Sequence, residues 1–135
     1  MCACGGEAAG ASVPRRLLLF EPHGPLRDAV AACVSELGYR AEIGPRLWDT
    51  LARAEEDAEL ILLVELCQDC IHPHAVSEVS RRLAALERVV LIVETVAAAQ
   101  VWRSYLPEAL FLNTPFELCE LFEALSAVDA PLVPA

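Results

Sequence analysis

Five short strand-like runs alternate with stretches of helical periodicity along this 135-residue chain. The runs are RRLLLFEP, YRAEIG, AELILLVEL, RVVLIVET and EALFLN. In the first helical stretch Leu26, Val30, Val34 and Leu37 share one face, and Gly38 is suited to end the helix. Short apolar strands joined by helices form a parallel sheet that is covered on both faces. The sequence therefore predicts an α/β fold of five βα units, doubly wound, with strand order 2-1-3-4-5.

The length and the two ends of the chain indicate its domain organisation. Residues 1–14 are rich in glycine and alanine and are predicted to form a flexible arm, followed by one domain at 15–128 and a tail at 129–135. The opening residues lack a basic segment and a long apolar core, so we predict no signal peptide and expect a cytoplasmic protein. In that compartment the six cysteines are expected to be thiols or metal ligands.

Charge and the length of the apolar runs exclude two classes of partner. A formal net charge of -10 repels phosphate backbones and anionic membrane surfaces, so we expect neither nucleic acid nor a membrane as a partner. The longest apolar runs, such as 60–64 and 89–93, are far shorter than the roughly 20 residues that span a bilayer. All ten basic residues are arginine, so the chain contains no lysine.

Acidic, thiol and imidazole side chains are predicted to meet at one edge of this sheet. In the predicted strand order, ligands bind outside the carboxyl ends of strands 1 and 3, which are neighbours at the switch point. Glu21 and His23 follow strand 1, whereas Glu65 and Cys67 follow strand 3. The predicted rim comprises Glu21, His23, Glu65, Cys67, Cys70, His72 and His74.

The loop ELCQDCIHPH, residues 65–74, leaves three interpretations open. Cys67, Cys70, His72 and His74 have the residue types and spacing of a site for Zn²⁺ or another transition metal. The two cysteines alone could instead form a redox-active thiol pair, although such pairs usually open a helix. The third interpretation is a solvated loop without bound metal or redox chemistry.

From Arg15 to Val128 the chain resembles the receiver domain of two-component response regulators. LLLFEPHGPLRDAVAACVSELGYRAE resembles the first strand, first helix and second strand of a receiver, and AELILLVEL resembles its third strand. FLNTPFELCELFEAL is similar to the fifth strand and last helix, where the family carries Lys–Pro–Phe. The resemblance implies the flavodoxin-like architecture that the strand pattern also predicts.

The resemblance also implies a phosphorylation pocket. A receiver accepts a phosphoryl group on an aspartate at the end of strand 3, and two acidic residues after strand 1 hold a divalent metal beside it. Carboxylate oxygens suit Mg²⁺. Glu21 matches the first acidic residue, but Pro22 stands at the second and offers no ligand. We therefore expect at most weak Mg²⁺ binding.

The remaining positions of this pocket also depart from the family. The acceptor position falls on Glu65 or, in another register, on Val64. Thr95 matches the family's hydroxyl residue after strand 4, one residue out of register, and Thr114 stands where the family has lysine. The resemblance thus predicts a degenerate pocket of Glu21, Glu65, Thr95 and Thr114. We expect the two glutamates to be solvated carboxylates of the rim.

These observations predict a stand-alone, receiver-like signalling protein that acts through protein–protein contact, independently of aspartyl phosphorylation. No complete catalytic set is present, so we do not expect an enzyme. Receivers commonly contact partners through the face formed by helix 4, strand 5 and helix 5. Trp102 and Tyr105 on helix 4 are either packing residues or an anchor for the partner, an unknown signalling protein. The alternative function is a metal or thiol sensor that uses the 65–74 loop.

Overall fold

The computed structural model describes residues 15–67 and 71–129. The predicted N-terminal arm, residues 68–70 of the loop and residues 130–135 lie outside these ranges. Five strands alternate with five helices: β1 Arg15–Phe20, α1 Gly24–Glu36, β2 Tyr39–Ile43, α2 Leu47–Glu56, β3 Ile61–Glu65, α3 Val76–Ala84, β4 Val89–Val93, α4 Val96–Tyr105, β5 Leu110–Asn113 and α5 Leu118–Asp129. All strand pairs are parallel, in the order β2-β1-β3-β4-β5, which confirms the predicted architecture.

The central strand β3 is buried on both faces of the sheet, and this explains its continuous apolar sequence. Leu62 and Val64 point into the core layer that contains helices α2, α3 and α4, whereas Ile61 and Leu63 point into the layer that contains α1 and α5. Successive side chains of a strand alternate between the two faces of a sheet. Because helices cover both faces, the first four positions of β3 are all apolar, and Glu65, its last residue, is the exception.

Local sequence determines where α1 ends and where α5 begins. Gly38 follows α1 in the left-handed region, with φ +93°, and its N–H donates to the carbonyl of Ser35, as the predicted end of the helix requires. The last helix was expected to open at Pro115, but α5 begins at Leu118. The Glu120 carboxylate accepts a hydrogen bond from the backbone N–H of Glu117, at 2.8 Å, and this caps the helix at that point.

Within residues 15–67 and 71–129, no helix is long and apolar enough to cross a membrane.

Candidate functional site

Parallel strand register brings acidic residues from three strands to one edge of the sheet. Phe20 of β1 pairs with Val64 of β3, so the residues after them, Glu21 and Glu65, emerge side by side. Glu65 in turn pairs with Ile92 of β4, which ends one residue before Glu94. The carboxyl ends of β1, β3 and β4 therefore form a single acidic rim at the predicted switch point.

The two glutamates at the centre of this rim are buried, which corrects the expectation of solvated carboxylates. Glu65 is 0 % exposed and Glu21 is 2 % exposed. Glu65 is the last residue of a strand that is hydrogen-bonded on both sides, and the backbone N–H of Leu66 still pairs with Ile92 of β4. The chain has therefore not yet left the sheet at Glu65, and His23 from the turn after β1 contacts its carboxyl group.

Burial changes the acid–base behaviour of Glu65. Removal from water raises the pKa of Glu65 to about 9, because a charged carboxylate is poorly solvated there. The carboxyl groups of Glu21 and Glu94 add to this shift, since they hydrogen-bond to the protonated form and repel the charged form. In the metal-free protein, Glu65 is therefore a neutral carboxylic acid at neutral pH.

His23 links the carboxylates of the rim. Its Nε2 atom lies 3.4 Å from Oε2 of Glu65 and 3.2 Å from Oε1 of Glu94. Its backbone N–H donates to Oε2 of Glu21, at 3.1 Å. The imidazole is half-exposed, so it stands between the buried Glu65 carboxyl group and solvent.

Cys67 completes a group of three different donors. Within the described residues it is a free thiol. Its Sγ atom, an imidazole nitrogen of His23 and a carboxylate oxygen of Glu65 all lie within 4.8 Å of one another. The structure thus brings together four of the residues predicted for the rim: Glu21, His23, Glu65 and Cys67.

His72 and His74 do not join this group. They flank Pro73 in a short 3-10 turn and are exposed. Their rings stack with centroids 4.9 Å apart, and the backbone N–H of His74 donates to Nδ1 of His72. In the parts of the chain that the structure describes, neither histidine belongs to a cluster of three metal-ligating side chains. Cys70 lies outside the described residues, so the predicted set of Cys67, Cys70, His72 and His74 stays a prediction.

The two predicted hydroxyl residues occupy structural positions around the site. Thr95 precedes α4, and its hydroxyl oxygen accepts a hydrogen bond from the backbone N–H of Ala98, at 2.9 Å. This bond satisfies one of the free N–H groups at the start of the helix. Thr114 is half-buried after β5, and its N–H donates to the carbonyl of Val93, at 2.9 Å.

Trp102 and Tyr105 have different environments. Trp102 is 2 % exposed and belongs to the core layer under α4, whereas Tyr105 is 49 % exposed. Trp102 is therefore a packing residue rather than an exposed anchor, because its position on α4 faces the sheet. Their ring centroids lie 6.2 Å apart.

Sequence reasoning did not include Glu94 among the site residues. Glu94 directly follows β4, the neighbour of β3, and its carboxylate contacts His23. The signal that could have identified it was its position at the end of a strand adjacent to the switch point.

Comparison with known proteins identifies the fold. No protein-family model and no curated protein matches the sequence. The structure is similar to that of FixJ-N, with a TM-score of 0.70 and 20% identity over 89% of this chain and 97% of that chain. It is also similar to the receiver domain of the sensor histidine kinase PA1611 from Pseudomonas aeruginosa PAO1, with a TM-score of 0.63 and 24% identity over 86% and 98% of the two chains.

A third similar structure is described as belonging to a family of redox sensors in the streptococci that evolved from two-component response regulators. The TM-score is 0.65 at 16% identity, and the match covers 85% of this chain and 51% of that one. The chain thus has the fold of response-regulator receiver domains. Its strand order is the one that the sequence predicts.

Proposed function

We propose that this chain is a receiver-like signalling domain that acts through protein–protein contact, without phosphorylation of an aspartate and without enzymatic activity. The observation that carries the proposal is the state of Glu65 at the carboxyl end of β3, where the resemblance to receivers puts the acceptor position on Glu65 or Val64. It is 0 % exposed, and His23 lies between its carboxyl group and solvent.

The chemistry of Glu65 opposes phosphoryl transfer. An acceptor must be an ionised carboxylate that a phosphodonor can approach in line with the bond that breaks. The raised pKa of Glu65, about 9, keeps the group protonated at neutral pH, and a neutral carboxylic acid is a poor nucleophile. Both the burial of Glu65 and its neutral charge are thus unfavourable for phosphoryl transfer to this residue.

The charge-neutralising groups of the pocket are also altered. Negative charge spreads over the phosphoryl oxygens during transfer, and a cation normally stabilises it. The sequence has no lysine, and the neutral Thr114 follows β5. The Thr95 hydroxyl is already engaged as the cap of α4. These features support a domain whose signalling state does not depend on a phosphoryl group.

The surface of α4 and β5 supports contact with a partner. Six large apolar residues of the described chain are substantially exposed, and four of them belong to α4 or to the start of β5: Val96, Val101, Tyr105 and Leu110. Exposed apolar and aromatic side chains are common anchors of protein interfaces. In the receiver family that the chain resembles, the same face contacts partners. We therefore propose Tyr105 as a contact residue of this surface.

The decisive test is incubation of the purified protein with acetyl phosphate and Mg²⁺, followed by mass spectrometry of the intact protein. We expect no phosphoryl adduct under conditions that label a receiver domain with an intact aspartate and lysine. A stable adduct on the wild-type protein that disappears in Glu65→Gln would overturn the proposal. The glutamine variant keeps the size of the side chain, so its loss of labelling would report chemistry rather than misfolding.

A further inference from the structure

His23, Glu65 and Cys67 offer three donor atoms of different chemistry at one point of the rim. His23 lies in the turn between β1 and α1, whereas Glu65 and Cys67 lie at the end of β3. The imidazole nitrogen, the carboxylate oxygen and the thiol sulfur are all within 4.8 Å of one another. Donor side chains from separate parts of the chain that converge in this way are what a metal ion requires of a protein.

The buried carboxyl group of Glu65 is a second, independent observation that points to a bound metal ion. This group is fully buried, yet no residue of the described chain donates a hydrogen bond to either of its oxygens. Buried carboxylates are normally hydrogen-bonded, paired with a cation or bound to a metal. Oε2 of Glu65 is directed at Nε2 of His23, at 3.4 Å, so the unsatisfied oxygen faces the other donors of the group.

The distances suit a small tetrahedral ion. Zn²⁺ binds nitrogen and oxygen ligands at about 2.1 Å, so two such ligands of one tetrahedron lie about 3.4 Å apart. Nε2 of His23 is 3.4 Å from Glu65 and 3.2 Å from Oε1 of Glu94. The separations of Nε2 of His23 from the carboxylate oxygens of Glu65 and Glu94 thus match the edge of a coordination tetrahedron, and Sγ of Cys67 lies within 4.8 Å of the donor atoms of His23 and Glu65.

The donor set does not fit Mg²⁺, the ion held in the active-site cleft of the PA1611 receiver domain. Mg²⁺ requires oxygen ligands in octahedral geometry and retains several waters. Here Pro22 supplies no ligand, and the nitrogen of His23 and the sulfur of Cys67 stand beside the carboxyl groups of the rim. Imidazole and thiolate are ligands of Zn²⁺ and similar transition metals rather than of Mg²⁺.

We propose that His23, Glu65 and Cys67 form a binding site for Zn²⁺ or a chemically similar divalent transition metal. The ion would join the turn after β1 to the chain after β3 and would neutralise the carboxylates of the rim. This site differs from the 65–74 loop set, because His72 and His74 contribute nothing to it. The inference does not depend on the proposed function, since a domain that is never phosphorylated can still bind metal.

The test uses the full chain, purified without oxygen, stripped with a chelator and then titrated with Zn²⁺ and with Co²⁺. We expect one ion per chain by native mass spectrometry. Bound Co²⁺ should show a thiolate-to-metal charge-transfer band that is lost in Cys67→Ser. His23→Ala should weaken Zn²⁺ binding by about 100-fold or more, because even the loss of an outer-shell partner of a metal ligand lowers affinity 10- to 100-fold. His23 is half-exposed, so this variant should remain folded.

A matched control separates this site from the loop set. The double variant His72→Ala/His74→Ala should bind Zn²⁺ as the wild type does. The inference is overturned if this control loses the ion while His23→Ala retains it. It is also overturned if the folded wild-type protein binds no Zn²⁺ at micromolar concentration, or if the Co²⁺ complex shows no charge-transfer band. Circular dichroism of each variant verifies that it is folded.

Discussion

Oε2 of Glu65 lies 3.4 Å from Nε2 of His23, and this contact joins a fully buried carboxyl group to a half-exposed imidazole. It occurs at the carboxyl ends of β1 and β3, where the resemblance to receiver domains implies a phosphorylation pocket. This enclosure supports the proposal that the domain acts without phosphorylation. The same contact places an imidazole nitrogen where it can share a metal ion with that carboxyl group.

Glu65 is expected to make the stability of the metal-free protein fall as pH rises. The folded protein retains the Glu65 proton up to its pKa of about 9, whereas the unfolded chain loses it near 4.5. Unfolding therefore releases a proton in this window, and the free energy of unfolding should decrease by up to about 1.4 kcal/mol per pH unit. Urea denaturation of chelator-treated protein from about pH 5 to about pH 8 measures this slope.

Glu65→Gln should abolish the decrease in the free energy of unfolding with pH that Glu65 causes, because the glutamine amide does not titrate. The variant should gain stability relative to the wild type as pH rises through the window. Glu36→Gln, which removes a carboxylate from the exposed surface of α1, is the control and should keep the wild-type slope. Equal slopes for wild type and Glu65→Gln would show that Glu65 is ionised in the folded protein.

Substitution of Trp102 should reduce stability far more than substitution of Tyr105. Trp102 is buried in the core layer under α4, so Trp102→Ala should lower the free energy of unfolding by about 3–5 kcal/mol. Tyr105 is half-exposed, and Tyr105→Ala should change the free energy of unfolding by about 1 kcal/mol or less. Denaturant unfolding of both variants provides the measurement. Similar losses for the two would contradict the assignment of Tyr105 to the surface.

Tyr105→Ala should weaken binding of the proposed signalling partner. An exposed aromatic anchor contributes about 2 kcal/mol or more at the centre of an interface, which is roughly a 30-fold change in Kd. Once the partner is isolated, its affinity can be measured by calorimetry. Trp48→Ala is the matched control, since Trp48 is an exposed aromatic residue on α2. If the Trp48 variant loses affinity and the Tyr105 variant does not, the contact surface lies on the α2 side.

Thr95 is expected to act as a helix cap in the free protein. Thr95→Ala removes the hydroxyl oxygen that accepts from the N–H of Ala98, so the free energy of unfolding should fall by about 1 kcal/mol. Thr95→Ser retains an equivalent oxygen and should preserve most of the stability. Thermal or urea unfolding distinguishes the two variants. A serine variant as unstable as the alanine variant would show that the methyl group, rather than the cap, matters.

Much of the fold follows from local patterns. The continuous apolar runs that became β3 and β4 predict strands enclosed on both faces, and the one-sided stripe of α1 with Gly38 predicts where that helix ends. The predicted start of α5 was wrong by three residues. Proline is compatible with the first turn of a helix, but the cap that fixes the start is formed by Glu117 and Glu120. Such a cap depends on side-chain conformation, which periodicity does not contain.

The chemistry of the rim follows from the sequence only in part. Residue order and strand parity place Glu21, Glu65 and Cys67 at one edge of the sheet, since the carboxyl ends of parallel strands share that edge. The absence of lysine from the chain is evident from the composition of the sequence alone. Burial of Glu65, the meeting of His23 with Glu94 and the separation of His72 and His74 from the metal-ligating group depend on how the turns pack over the strand ends. Those contacts join residues far apart along the chain, and no local pattern encodes them.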